Sequence, residues 1–157
     1  MSPAARTRPF LTAEWRYLVM LSYEIDPAVL APLVPAATEL DLWQGRALVS
    51  VVGFRFLGTR VLGLPVPLHT DFDEVNLRFH VRHLPPGGDA RQGATVEYEV
   101  THPVWRVWAA LDAVLVADVT ALYGPAFAGA LSRPPVSALV AEGSPVVVHS
   151  PRRLVSI

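Results

Sequence analysis

The chain has 157 residues and a net charge of −1, from 13 arginines against 14 acidic residues, and it contains no lysine and no cysteine. Those two absences exclude a lysine Schiff base, a cysteine nucleophile and a thiolate metal site. The arginines form no basic block, so nucleic acid is not an expected partner.

Composition also bears on size, assembly and location. The length fits one domain, residues 1–157. Only 17% of residues are charged and 52% are apolar, which predicts a homo-oligomer interface or a large apolar pocket. No uninterrupted apolar run reaches the roughly 18 residues of a membrane helix. Glu14 and Arg16 interrupt a signal-peptide pattern, so we expect a cytoplasmic protein without membrane contact.

The first predicted elements are a strand and a short helix. Residues 17–25 (YLVMLSYEI) are mostly β-branched, aromatic or leucine-like, which favours a buried strand. Asp26 precedes Pro27, a combination that caps and begins a helix. Pro32 and Pro35 predict that this helix ends within about two turns.

A hairpin is predicted next. The segment TELDLW alternates apolar and polar residues, Gln44 and Gly45 predict a tight turn, and residues 46–61 are the longest strand-like run. Gly53 inside that run predicts a bulge or a close backbone approach.

Residues 72–84 alternate clearly, with Leu77, Phe79 and Val81 on one side and polar residues on the other. A turn is predicted at residues 85–89, followed by a second half-polar strand around residues 96–100. Two such strands in succession predict an antiparallel sheet.

The last third of the chain predicts a strand and then a helix across residues 104–131. Asp118 is the expected helix cap, and Gly124 with Pro125 interrupts the helix. Residues 144–149 predict a final short strand.

Three stretches together resemble a known family: SYEIDPAVLAPLVP, DFDEVNLRFHVR, and ALYGPAFAGAL followed by AEGSPVVVHSPRRL. They are similar to the uncharacterised YqjF-like family, a relative of acetoacetate decarboxylase. The resemblance implies an acetoacetate decarboxylase-like β-barrel or cone-shaped sheet around an apolar cavity, with a few short helices packed outside, and it implies oligomers. Relatives usually have several dozen more residues before GATVEYEV.

The decarboxylase branch has a glutamate at the position of Glu74, an arginine near the position of Glu24 and a reactive lysine further along. Only the glutamate carries over. Arginine cannot replace the lysine, because a guanidinium stays protonated at any relevant pH. The resemblance therefore implies the scaffold without the Schiff-base chemistry.

The strongest candidate site is a set of polar residues at every second position, from Glu74 through Asn76, Arg78 and His80 to Arg82. That side of the strand faces either solvent or a pocket. In a pocket, Arg78 and Asn76 bind a substrate carboxylate, while Glu74 and His80 act as catalytic acid and base.

Two further substrate-binding candidates are Arg55, a possible second cation, and Glu24. His69, Asp71 and Asp73 have metal-ligand spacing, but a solvated acidic turn fits them better, so we expect no metal and no cofactor. Glu97 and Glu99 share a side of their strand and are expected on an exposed surface.

The sequence leaves three functions open, and it does not decide whether the protein is an enzyme. The first is a domain that binds a small organic ligand through Arg78 and Glu74. The second is an enzyme that uses Glu74 and His80 for non-covalent acid–base chemistry on a carbonyl or carboxylate compound. The third is a degenerate scaffold kept for assembly.

Overall fold

The computed structural model describes residues 8–84 and 94–155. Strands predominate there and the helices are short, which confirms the predicted α+β class with mainly antiparallel strands. The strands are β1 (Pro9–Ile25), β2 (Thr38–Leu40), β3 (Ala47–Val61), β4 (Leu64–Pro65), β5 (Phe72–Phe79), β6 (Val81–His83), β7 (Ala94–Glu97), β8 (Val100–Thr101), β9 (Val107–Ala109), β10 (Ser137–His149) and β11 (Arg152–Val155). The helices are α1 (Pro27–Leu30), α2 (Val119–Tyr123) and α3 (Pro125–Leu131), with a 3-10 turn, Ala31–Leu33, after α1.

The central sheet is built on the three longest strands, β3, β1 and β10, which pair in that order. All three ladders around them are antiparallel, and β5 pairs with the first half of β3. β4 extends the sheet beside β3, while β8 and β9 pair with different ends of β10. Two further ribbons, β2 with β6 and β7 with β11, complete the described strands.

The two faces of the sheet bury different clusters. Leu21, Tyr23, Val49 and Val51 pack with residues of α1 and α3, and this side is called the helix-covered face. The other side carries a second buried cluster rich in aromatic rings, and is called the aromatic face. Its members include Trp15, Val52, Phe54, Phe56, Phe72 and Trp105.

A bulge in β1 places residues from both halves of this strand on the aromatic face. Two residues, Tyr17 and Leu18, occupy the interval between the pairs Arg16–Arg55 and Val19–Gly53, where β3 contributes one residue. Tyr17 has a φ of 56°, as expected for an extra residue in a strand. The sequence predicts a bulge or a close backbone approach at Gly53 of β3, and the extra residue of this bulge lies instead on the neighbouring strand.

Side-chain caps begin the helices at the predicted residues. Asp26 Oδ1 accepts a hydrogen bond from the Ala28 amide at 2.8 Å, and Asp118 Oδ1 accepts one from Ala121 at 3.0 Å. Gly124, at φ 85°, separates α2 from α3 as predicted. None of the helices in the described ranges has the length and apolar character needed to cross a bilayer.

The predicted hairpin between TELDLW and the following strand is wrong. β2 pairs with β6, whereas β3 pairs with β1, β4 and β5. Only the turn survives, as a bridge between Trp43 and Arg46. The alternation of TELDLW identified a strand correctly but carried no information about its partner.

The two predicted half-polar strands also lie apart, and the first of them, residues 72–84, is divided into β5, which pairs with β3, and β6. β6 pairs with β2 and β7 pairs with β11, so they do not form one ladder, and the turn predicted at residues 85–89 lies outside the described residues. Within the described residues the central sheet does not close on itself, because β5 pairs only with β3. Closure into a barrel or cone therefore stays a prediction.

Candidate functional site

Three polar side chains follow one another along the same side of β5. Asn76 Nδ2 donates to Glu74 Oε1 at 2.7 Å, and Arg78 Nε donates to Asn76 Oδ1 at 2.9 Å. Asn76 therefore links the carboxylate of Glu74 to the guanidinium of Arg78, and these two hydrogen bonds fix the orientation of its amide. These three residues are called the polar row.

The register places the polar row on the aromatic face. Glu74 pairs with Phe54 and Asn76 pairs with Val52, and directly paired residues share a side of the sheet. Phe54 and Val52 are buried, while Glu74 and Asn76 are half-buried. The row therefore borders an apolar surface and does not stand on a fully solvated one.

Arg78 lies at the polar end of this face. It pairs with Ser50, whose hydroxyl is 2.9 Å from the hydroxyl of Ser22 in a buried hydrogen bond. Removal of water by the surrounding protein lowers the pKa of Arg78 from its usual value, and the charge of Glu74 acts in the opposite direction. The guanidinium keeps its charge at neutral pH, because the pKa of arginine starts far above it. It is thus a partly dehydrated cation with exposed surface.

A hollow of about 450 Å³ lies beside this polar end. It combines an apolar wall with a hydroxyl, a carboxylate, an indole and an imidazole, and is called the Trp43 hollow. Its lining residues are Met20, Ser22, Asp41, Leu42, Trp43, Leu48 and His80. The loop between β2 and β3 is held against the sheet here, because the Asp41 amide donates to the His80 carbonyl oxygen at 3.0 Å.

Glu24 reaches this region indirectly. Its Oε2 atom accepts a hydrogen bond from Arg46 Nη1 at 3.2 Å, and the Arg46 guanidinium carbon lies 4.7 Å from the centre of the Trp43 ring. Cation–π contact and ion pair together hold the indole at the edge of the hollow. Glu24 is therefore placed to position Trp43 through Arg46.

Arg55 does not join the polar row. Its Nε atom donates to Asp73 Oδ1 at 2.7 Å and its Nη2 atom to Asp73 Oδ2 at 3.2 Å, and the two residues are paired across β3 and β5. Neighbouring residues of a strand point to opposite sides, so this pair lies on the face away from Phe54 and Glu74. Its position gives no support to a role as a second cation at the site.

The three residues considered as metal ligands, His69, Asp71 and Asp73, make other contacts. Asp71 Oδ1 accepts a hydrogen bond from the Gly58 amide at 2.8 Å, and Asp73 is bound to Arg55. His69 Nδ1 lies 3.4 Å from the Pro67 carbonyl oxygen. In residues 8–84 and 94–155 no group of three or more histidines and acids is arranged to hold a metal ion.

Glu74 lies within β5, whereas His80 follows the last residue of that strand, six positions further along the chain. An unbroken strand advances about 3.3 Å per residue, so roughly 20 Å is the largest separation that their Cα atoms can have. Arg78 and His80 are separated by only about 7 Å on the same measure. The structure thus groups His80 with Arg78 and leaves Glu74 at the aromatic end.

Sequence reasoning did not find four of the residues that build this site: Ser22, Asp41, Trp43 and Ser50. Each serine stands alone among apolar residues, in YLVMLSYEI and in RALVSVV. A lone hydroxyl in a buried strand signals a polar partner, because a buried hydroxyl is costly without one. No local signal shows that the two serines face each other across 28 positions.

The fold and site together define a β-rich α+β domain in which a polar row, half-buried at Glu74 and Asn76, and an adjoining hollow share one face of an antiparallel sheet. The chain belongs to the DUF2071 family of uncharacterized conserved proteins, whose model matches residues 12–93. This membership confirms the family resemblance seen in the sequence.

A curated relative and a solved structure are similar to the chain. The "Uncharacterized protein YqjF" of Bacillus subtilis (strain 168) is 34% identical over 70 residues, which cover 44% of this chain and 29% of that protein. The chain thus matches less than a third of that relative's length. An acetoacetate decarboxylase-like enzyme from Sphingomonas wittichii RW1 aligns with 100% of this chain and 98% of its own, at 13% identity and a TM-score of 0.49.

Proposed function

We propose that this chain binds a small organic carboxylate in the Trp43 hollow, with Arg78 and His80 as its polar contacts. The observation that supports the proposal most directly is a concavity of about 450 Å³ that has an apolar wall and is lined by Ser22 and His80. Arg78, a partly dehydrated cation, stands two residues before His80 and pairs with Ser50, the hydrogen-bond partner of Ser22. Small-molecule sites are commonly concave and apolar with a few well-placed polar groups, and this volume lies in their usual range.

Arg78 is suited to the carboxylate because of how it is held. Asn76 accepts from Nε, and this fixes the plane of the guanidinium. The two Nη groups then form a fork that matches the two oxygens of a carboxylate. The negative charge of a carboxylate is attracted to this partly dehydrated cation.

The remainder of the hollow constrains the ligand. Met20 and Leu48 accommodate a short apolar portion, while the carboxylate of Asp41 repels a second anionic group and accepts from a hydroxyl or amine. The ligand class is therefore a small monocarboxylic acid that carries a hydrogen-bond donor, such as a hydroxy acid or an amino acid. This chain has no lysine, so the ligand is not held as a Schiff base.

The acid–base alternative is weaker, because Glu74 and His80 are six positions apart along the chain, up to roughly 20 Å, and one small substrate would have to reach both. The scaffold alternative requires no ligand, and it is what a failed binding experiment would support.

Binding is tested by thermal shift with lactate, glycine, pyruvate and acetate. A ligand bound only by the folded state at about 100 times its Kd stabilises the fold by about 2.7 kcal/mol, which for a domain of this size raises Tm by several degrees. We expect the shift with lactate or glycine to disappear in Arg78→Ala and to persist in Arg55→Ala, a matched loss of an ion-paired arginine on the opposite face. Binding by these acids should also change the fluorescence of Trp43, and Trp43→Phe should remove that change.

A shift that Arg78→Ala retains would contradict the proposed contact. If none of the four acids shifts the Tm of the parent chain, the binding proposal fails and the scaffold function is favoured.

A further inference from the structure

One edge of β5 has no strand beside it within the described residues. β5 pairs with β3 along its whole length, and none of the other described strands pairs with it. A strand in that position presents main-chain amide and carbonyl groups to any second strand that can approach. What approaches is decided by the side chains along the edge.

The side chains of β5 are complementary to a second copy of themselves. Glu74 and Arg78 stand at equal distances on either side of Asn76, with opposite charges. When two copies of a strand pair in antiparallel fashion about a two-fold axis, residues equally far from the centre lie opposite each other. With Asn76 on the axis, Glu74 lies opposite the partner's Arg78, and Arg78 lies opposite the partner's Glu74.

We propose that two copies of this chain associate through β5, antiparallel, with Asn76 on the two-fold axis. The overlap runs from residue 73 to residue 79, which is nearly all of the strand. On the aromatic face the interface contains two Glu74–Arg78 pairs between the copies, one on each side of the central asparagines. On the helix-covered face Val75 lies opposite the partner's Leu77, which covers a valine side chain that is 63% exposed in the single chain.

The two neighbouring registers are less favourable. Centring the pair on Val75 places Arg78 opposite the partner's Phe72, so the charge has no carboxylate opposite it. Centring it on Leu77 places Glu74 opposite the partner's His80 and Arg78 opposite the partner's Asn76, so the guanidinium again has no carboxylate opposite it. Directly opposed charges of unlike sign stabilise a pair of strands, and only the Asn76-centred register makes two such pairs.

Charges on an edge strand often prevent association, but the pattern here has the opposite effect. Several like charges along an edge repel a second copy. Here the charges on the two sides of Asn76 have opposite signs, so an antiparallel second copy is attracted. A strand without that symmetry meets charges that have no opposite charge facing them.

Charge exchange tests the pairing in the full chain. Sedimentation equilibrium should show a dimer for the parent chain. Glu74→Arg and Arg78→Glu each create two like-charge pairs and should raise the dimer Kd by about tenfold or more. The double variant Glu74→Arg/Arg78→Glu restores both opposite-charge pairs and should restore the dimer. A monomeric parent chain, or a double variant that stays monomeric while its circular dichroism spectrum is native, would overturn the proposal.

Cysteine cross-linking tests the register, because the chain contains no cysteine of its own. Directly opposed residues have Cα atoms about 4.5–5.5 Å apart, within the range that a disulfide spans. Asn76→Cys should therefore form a disulfide-linked dimer on mild oxidation. Val75 is exposed but lies opposite the partner's Leu77, so the two copies of residue 75 are not opposite each other. Val75→Cys should therefore remain mostly uncrosslinked. Equal cross-linking of both variants, or none at position 76, would refute the register.

The dimer does not depend on the proposed ligand, and the double charge exchange separates the two. That variant should recover the dimer without recovering carboxylate binding, because position 78 then carries a glutamate. Failure of the thermal-shift experiment leaves the dimer experiments unaffected.

Discussion

Adjacent residues of β1 show how differently the two faces treat a buried hydroxyl. Ser22, on the aromatic face, is paired with Ser50. Tyr23, on the helix-covered face, is only 1% exposed, and its hydroxyl has no hydrogen-bond partner among the described residues. A buried polar atom without a partner costs about 1–3 kcal/mol. Tyr23 therefore stabilises the fold through burial of its ring, whereas its unpartnered hydroxyl destabilises it.

The Tyr23→Phe variant should be as stable as the parent chain or more stable, since it removes the unpartnered oxygen and keeps the ring. Tyr23→Ala is the contrasting change and should lower the free energy of unfolding by about 3–5 kcal/mol, as expected for the loss of a buried aromatic side chain. Urea denaturation measures both. A marked loss of stability in Tyr23→Phe would show that the hydroxyl has a partner.

The same residue predicts the response to alkaline pH. Burial raises the pKa of Tyr23 above its ordinary value, so the fold favours the neutral phenol. The stability that this supplies is present below about pH 10, the pKa of an unfolded tyrosine, and is lost as the pH rises further. Tyr23→Phe should therefore lose less stability than the parent chain between about pH 9.5 and 11. Equal losses in the two proteins would contradict the assignment.

At the scale of elements, local features were predictable and pairings were not. Asp26 and Asp118 were identified as caps because a cap depends on residues within one turn of it. The partner of β2 was not, because its ladder joins Thr38 to His83 across a distance in sequence that no local pattern records. The polar row was predictable from its period, whereas the hollow needs a loop, two strands and His80 in their final positions.

Gly143 shows how closely two strands approach in the central sheet. It lies in β10 opposite Arg16, with a φ of 90°, and a Cβ atom there would overlap the Trp15 carbonyl oxygen and approach Leu18 Cδ1 to 2.8 Å. Backbone cannot move aside as a flexible side chain can. Glycine is therefore required by its conformation and by the contact.

Gly143→Ala should lower the free energy of unfolding by clearly more than the 1–3 kcal/mol typical of an unfavourable backbone conformation alone. Gly63→Ala is the matched control, because Gly63 has a φ of 83° and no atom lies within 4 Å of the place that an alanine methyl group would occupy. It should show the conformational cost without the steric one. Equal losses in chemical denaturation of the two variants would mean that the strands separate easily at this point.

Across the whole molecule, burial is concentrated in the two clusters on the central sheet. Leu30 is fully buried against the helix-covered face, whereas the segment after β9 exposes several large apolar side chains, among them Leu111, Val114 and Val116. The low proportion of charged residues is thus expressed on the surface as well as in the core. The low charged fraction of the whole chain is the feature from which the sequence predicted a homo-oligomer interface or a large apolar pocket.

Leu30→Ala should lower the free energy of unfolding by about 2–5 kcal/mol, the usual cost of removing a buried leucine. Leu111→Ala should change it by less than about 0.5 kcal/mol, because its side chain is fully exposed in the single chain. Denaturant titration compares them at one protein concentration. A large effect at Leu111 would show that another surface covers it in solution.

The β1 bulge makes this strand sensitive to the loss of a single residue. Trp15 and Met20, one at an odd and one at an even position, reach the same side only because Tyr17 is the additional residue between them. Deleting Tyr17 would turn the first half of the strand over, burying Glu14 and Arg16 among aromatic rings and presenting Trp15 to the reverse side. A one-residue gap at this point in a homologous sequence therefore implies an inverted pattern of apolar and charged positions upstream of it.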